Sequence, residues 1–114
     1  MTLNEVVNSL GLTVCCGGDK LQHEVAGGYA SDLLSDVIAN SKPGSVWVTM
    51  QVHVNIVAVA VLKELAAIVL VHGRDPAEDT LRRAKDEHVT ILASKLPAFE
   101  TVGKLYELGI GKAT

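Results

Sequence analysis

The sequence predicts a three-layer α/β/α domain built on a mostly parallel sheet of about five strands. Three observations carry this. Short, continuous apolar runs rich in Val and Ile alternate with segments of helical periodicity. The runs are apolar on both faces, as strands covered by helices on both sides must be. At 114 residues with 48% hydrophobic content, the chain is one domain, spanning 1–114, with enough apolar surface for a core that needs neither disulfides nor a structural metal.

Taken in order, Leu3, Val6, Val7 and Leu10 share one helical face, Thr2 and Glu5 form a capping box, and Gly11 ends the helix in the left-handed conformation. Leu12–Cys16 is a buried strand stopped by Gly17-Gly18, and Asp19–His23 is a polar connector. Val25–Tyr29 is a second strand, in which Gly27-Gly28 marks a bulge or a close backbone approach. Ser31 caps the next helix with Asp32 in its first turn. Leu33, Leu34, Val37 and Ile38 form its buried stripe, and Lys42-Pro43-Gly44 closes it. Val46–Met50 is a strand. Val54–Leu65 is apolar almost all round; its length and its alanines, Ala58 and Ala60, predict a fully buried helix. Ile68–Val71 is a strand, and His72-Gly73-Arg74 a loop. Asp75-Pro76-Ala77-Glu78 is a helix start, with Leu81 and Ala84 facing inward. Thr90–Ala93 is the last strand. Pro97 opens the last helix, with Phe99, Val102 and Tyr106 inward and Gly109 at its end.

Composition narrows the function. A net charge of −3 leaves no electrostatic footprint for nucleic acid, and 4% aromatics provide few stacking platforms for single strands. The start, Met1-Thr2-Leu3-Asn4-Glu5, lacks the basic and apolar regions of a secretory leader, and no apolar run is long enough to span a bilayer. Cys15 and Cys16 are adjacent, a spacing that disfavours a disulfide, so both are expected as free thiols in a reducing, cytoplasmic setting.

In open α/β sheets ligands sit beyond the carboxyl ends of the strands. The residues expected there are Cys15-Cys16-Gly17-Gly18, Gln51-Val52-His53-Val54-Asn55, His72-Gly73-Arg74 and Ser94-Lys95. The candidate ligand-binding set is therefore Gly17, Gly18, Gln51, His53, Asn55, His72, Gly73 and Arg74. Helix N-termini near Val54, Pro76 and Pro97 offer free amides to an anion. Gly17-Gly18 is either a turn or a ligand loop; no Gly-Lys-Ser/Thr follows it and no third glycine completes a dinucleotide fingerprint. His53 and His72 are ligand contacts, bases or solvated loop residues. Arg74 either clamps a phosphate or carboxylate or pairs with Asp75 or Asp79. Asp32 and Asp36 read as cap and solvated face. A metal site from Cys15, Cys16, His53 and His72 lacks Cys-x-x-Cys or His-x-x-x-His spacing. No catalytic residue, metal ligand or cofactor is assigned.

Three strings carry a family resemblance: Val25-Ala26-Gly27-Gly28-Tyr29-Ala30-Ser31-Asp32-Leu33-Leu34-Ser35-Asp36-Val37, Trp47-Val48-Thr49-Met50-Gln51-Val52-His53-Val54-Asn55, and Ile68-Val69-Leu70-Val71-His72-Gly73-Arg74-Asp75-Pro76. From about Leu3 to Ile110 the chain resembles the DRTGG domain family in its small stand-alone form. Val52-His53 stands where that family usually has Asp-Arg, and Val71-His72-Gly73 where it usually has Thr-Gly-Gly. The resemblance implies a fold similar to the N-terminal domain of HPr kinase, without that enzyme's phosphate-binding loop. It also implies an accessory or dimerising role of the kind family members play inside nucleotide-regulated pyrophosphatases and phosphotransacetylases. Stand-alone copies look like companions of iron-hydrogenase gene clusters.

The expectation is a non-catalytic regulatory or ligand-binding module, sensing a nucleotide or other anionic small molecule and forming a homodimer. The alternative is a small redox- or metal-linked accessory factor using Cys15, Cys16, His53 or His72, or an assembly partner of an iron-hydrogenase-type complex.

Overall fold

A computed structural model describes residues 1–112. The elements run α1 (Leu3–Leu10), β1 (Thr13–Cys16), a 3₁₀ turn (Gly18–Lys20), β2 (Gly27–Ala30), α2 (Leu34–Asn40), β3 (Ser45–Thr49), α3 (Asn55–Leu62), β4 (Ala67–Leu70), α4 (Glu78–Asp86), β5 (Ile91–Ala93) and α5 (Ala98–Glu107). The five strands form one sheet in the order β1-β5-β4-β3-β2. β2, β3, β4 and β5 are parallel, and β1 runs antiparallel to β5.

The layering follows from the connections. Three successive crossovers step in one direction, β2 to β3 to β4 to β5, and a constant hand puts all their helices on one face. Val37 of α2, Ile56, Val57, Val59 and Ala60 of α3, and Ala84 of α4 accordingly share a core with Trp47, Ile68, Leu70 and Ile91. The opposite pleat, Val46, Val48, Val69 and Leu92, packs on Leu3 and Val6 of α1 and Leu105 of α5. β3 is buried along its whole length, as a central parallel strand must be. Trp47 is fully buried, its indole N–H donating to the Ser31 carbonyl at 2.8 Å.

The first helix forms as its sequence dictates. Thr2 Oγ1 accepts from the Glu5 amide, the Glu5 carboxylate reaches back to the Thr2 amide, and Gly11 closes the helix at φ 67°. Gly27 and Gly28 form no bulge: they pair in regular register with Ser45 and Val46, and Gly28 lies against Ile110 of the segment after α5, where a Cβ would make a contact of 3.4 Å.

Several expectations are corrected. β2 begins two residues later than Val25, so Ser31 and Asp32 fall in the loop that follows it. Helix α2 then starts at Leu34, Ser31 Oγ accepts from the Leu33 amide, and Leu33 (64% exposed) and Ile38 (40%) face outward rather than into the core. α3 is not fully buried: its outer side exposes Ala58, Val61 and Leu62. Asp75 does not cap α4, which begins at Glu78 behind Ala77; the Ala77 amide is used instead to hold the Val52 carbonyl at 3.1 Å. On α5, Phe99 (90% exposed) and Tyr106 (55%) face outward, and Thr101 and Leu105 take the buried positions. β1 is half-exposed, as an edge strand is, and carries a bulge between Val14 and Cys16.

Candidate functional site

The antiparallel β1 splits the expected site in two. Thr13 pairs with Ala93 and Cys16 with Ile91, so β1 ends at the amino edge of the parallel strands. Gly17 and Gly18 lie there, with Thr90 Oγ1 donating to the Gly17 carbonyl at 3.2 Å. They are not at the carboxyl edge, and the turn reading accounts for them. Cys16 sits at the same end, its thiol donating to the Val89 carbonyl, away from His53 and His72, which follow β3 and β4.

At the carboxyl edge the loops after β2, β3 and β4 converge. Asp32, Met50, Gln51, Val52, His53 and Arg74 line a pocket of ≈ 190 Å³. Its floor is tightly tied. Asp32 Oδ1 accepts from Thr49 Oγ1 and from the Met50 amide, both at 2.7 Å. The Gln51 amide donates to Thr49 Oγ1 at 3.1 Å, and the Gln51 side-chain amide donates to the Asp32 carbonyl at 3.2 Å. On the far side of the β3–α3 loop, Thr80 Oγ1 of α4 donates to the Val52 carbonyl at 2.8 Å. The loop is thus clamped between the β2 and β4 connections, and His53 and Arg74 are presented from a rigid frame.

Of the candidate set, Gln51, His53 and Arg74 come together. Asn55 opens α3 and is exposed outside the pocket lining. His72 and Gly73 lie at the same edge, both left-handed, at φ 61° and 65°. Their amides are committed to the β5–α5 loop, His72 to the Leu96 carbonyl and Gly73 to that of Ser94, each at 2.9 Å. Ser94 is buried against Thr101 Oγ1 at 2.9 Å, while Lys95 is exposed.

Asp32 is the pocket residue that sequence reasoning missed. It follows the carboxyl end of the second strand in the sequence too, but Ser31-Asp32 reads there as a helix start, which leaves that connection out of the edge loops.

Arg74 is the one Lys or Arg side chain in this lining. Among the described residues the ion pairs are Met1 with Glu24 and Arg83 with Glu87, so Arg74 pairs with neither Asp75 nor Asp79. An exposed guanidinium beside a pocket, with its fork uncommitted, suits a planar or tetrahedral anion. The α4 N-terminus is less suited: Glu78 and Asp79 already complement its dipole. The sheet order also limits depth. With β2 to β5 in sequential order there is no reversal to splay two helices apart, so the carboxyl edge is a shallow dish rather than a crevice.

Among the described residues no helix is long and apolar enough to cross a membrane. No protein-family model matches the chain, and no curated protein does. Among solved structures it is similar to the CBS and DRTGG domains of the regulatory region of Clostridium perfringens pyrophosphatase, a structure complexed with the activator diadenosine tetraphosphate. The TM-score is 0.72 at 11% identity, over 91% of this chain and 45% of that one. The chain thus spans less than half the length of its structural neighbour, and at this identity the likeness is one of fold: a CBS/DRTGG-like α/β architecture.

Proposed function

We propose that the chain is a non-catalytic regulatory module that binds a nucleotide or another anionic small molecule at the carboxyl edge of β2, β3 and β4. The observation that carries this is the uncommitted Arg74 beside Gln51 and His53 on one rigidly tied pocket. The fold supports it, because the structural neighbour belongs to a regulatory region solved with a nucleotide activator. At ≈ 190 Å³ the pocket is smaller than the roughly 300–1,000 Å³ that engulfs a drug-sized ligand, so it holds part of such a molecule and leaves the rest at the surface.

A thermal-shift series with adenine and guanine nucleotides, diadenosine tetraphosphate and inorganic phosphate tests the reading. Ligand at a hundredfold excess over Kd adds about 2.7 kcal/mol and raises Tm by several degrees. Arg74→Ala should abolish the shift, and His53→Ala should reduce it. A flat response to every compound would sink the proposal.

The module also dimerises in this reading. Exposed apolar side chains on this side of the sheet support that: Leu33 before α2, Ile38 on α2, and Val61 and Leu62 on the neighbouring α3 are large side chains left in water. The alternative, a redox- or metal-linked accessory factor or an assembly partner of an iron-hydrogenase-type complex, has one observation in its favour: the β1 bulge turns both Cys15 and Cys16 toward the same core. Against it, burial pushes both thiols up from their ordinary range, the opposite of what an activated nucleophile needs.

A further inference from the structure

Asp32 is an unexpected member of an anion pocket. Its carboxylate shares the lining with Arg74, yet no ion pair joins them. It is also not merely a loop staple. One oxygen, Oδ1, takes both internal hydrogen bonds, from Thr49 and Met50, while Oδ2 accepts none among the described residues. The two bonds at 2.7 Å hold the carboxylate in place, and Asp32 remains exposed. The pocket therefore offers a fixed acceptor of one sign and, at Arg74, a donor of the other.

A simple anion matches only half of this arrangement, because it meets the carboxylate's negative charge. A ligand that carries hydroxyl donors next to an anionic group matches both halves. Hydroxyls donate to Asp32 Oδ2 while the anion takes the guanidinium. The size is compatible, since an open pocket of ≈ 190 Å³ takes part of a nucleotide and leaves the rest at the surface.

We infer that this pocket reads the ribose phosphate of its ligand, with Asp32 as the residue that recognises the sugar hydroxyls and Arg74 the phosphate, and that the base stays outside. The inference rests on the nucleotide reading above and deepens it. Recognition is then indifferent to the base and strict toward the sugar.

The test is titration calorimetry on the whole chain with AMP, GMP, 2′,3′-dideoxy-AMP, ribose 5-phosphate and inorganic phosphate, on the native protein and on Arg74→Ala and Asp32→Asn. Asparagine keeps a side-chain oxygen for Thr49 and Met50, and circular dichroism melting checks that the variants fold. AMP, GMP and ribose 5-phosphate should bind alike. Dideoxy-AMP should bind at least about tenfold more weakly, the loss expected for hydrogen bonds to a charged group. Asp32→Asn should erase the difference between AMP and dideoxy-AMP, while dideoxy-AMP, relieved of the carboxylate's repulsion, should bind no more weakly than to the native chain.

Equal affinity for AMP and dideoxy-AMP, with both lost in Arg74→Ala, would overturn the sugar inference and leave the anion reading standing. That comparison uses only folded native protein for its decisive arm. A preference for inorganic phosphate over ribose 5-phosphate would overturn it equally. If no compound binds in an Arg74-dependent way, the anion reading fails and the inference fails with it.

Discussion

Gly17 shows how a single position can be structural where its sequence suggests a ligand loop. Its φ is 81°, and a Cβ there would stand 2.6 Å from Thr90 Cα and collide with Thr90 Oγ1. Gly17→Ala therefore combines left-handed strain with a backbone clash and should cost roughly 2–4 kcal/mol in chemical denaturation. Gly18→Ala meets its nearest atom at 3.8 Å, with no positive φ, and should change stability by about 0.5 kcal/mol or less. The opposite ranking would show that the clash at Thr90 does not govern this turn. The neighbouring thiols make a pH prediction. Desolvation is the largest cause that raises both Cys15 and Cys16, so the folded state favours the protonated thiol. The unfolded state gives up those protons at lower pH. Stability is therefore fully present below the ordinary thiol range and declines as pH rises through the raised folded values. Denaturation midpoints at pH 7 and pH 10 should differ by less in a Cys15→Ala/Cys16→Ala protein than in the native chain. Alkylation of the folded native protein at pH 7 should also be slow, Cys16 slower than Cys15 because it is buried and bonded to Val89. Asp36 works in the other direction. Asn40 first, then Tyr29, hold its carboxylate below the usual range, so what it contributes is lost only as pH falls through that depressed value.

At the scale of elements, helix α5 separates periodicity from orientation. Phe99, Val102 and Tyr106 share a face by spacing, and aromatic side chains argue that this face is buried. The helix is instead rolled so that Leu105 enters the core with α1 and β3 and Thr101 turns to the segment after β5, leaving Phe99 90% exposed. Thr101 can be buried because Ser94 Oγ and the Leu96 carbonyl satisfy its hydroxyl. The consequence is measurable. Leu105→Ala should cost about 3 kcal/mol as a cavity in a closed core. Phe99→Ala should stay within about 0.5 kcal/mol by equilibrium denaturation. A reversed pair of values would restore the amphipathic reading. α4 is the opposite case. Its charged residues Arg82, Arg83, Lys85, Asp86 and Glu87 are all exposed, Ala84 is buried and Leu81 is partly so, because a strongly polar helix has only one face it can bury.

For the whole molecule, the apolar surface on α2 and α3 is a property no element shows alone. Leu33 just before α2, Ile38 on α2, and Val61 and Leu62 on the neighbouring α3 are all at least 40% exposed. A chain that dimerises there should sediment as a concentration-dependent dimer with a Tm that rises with concentration, and Leu62→Ser should shift it to monomer and remove that dependence. A monomer for the native chain at every concentration would remove these side chains from the proposal. The same scale divides what sequence determines from what folding decides. The alternation of elements, the capping box at Thr2 and Glu5, the buried runs of β3 and β4 and the turn at Lys42-Pro43-Gly44 were all legible in the chain, because each depends on hydrogen bonds and periodicities within a few residues. So was the meeting of Gln51, His53 and Arg74 at one edge, since loops after parallel strands share it. The reversal of β1 was not legible, nor was its removal of Gly17 and Gly18 to the other edge. Strand direction is settled by which long-range pairing buries most surface, and four apolar residues pair either way. The place of Asp32 in the pocket was hidden for the same reason: a strand end shifted by one residue looks locally like a helix cap, and only the hydrogen bonds from Thr49 and Met50, seventeen and eighteen positions away, fix it at the edge of the sheet.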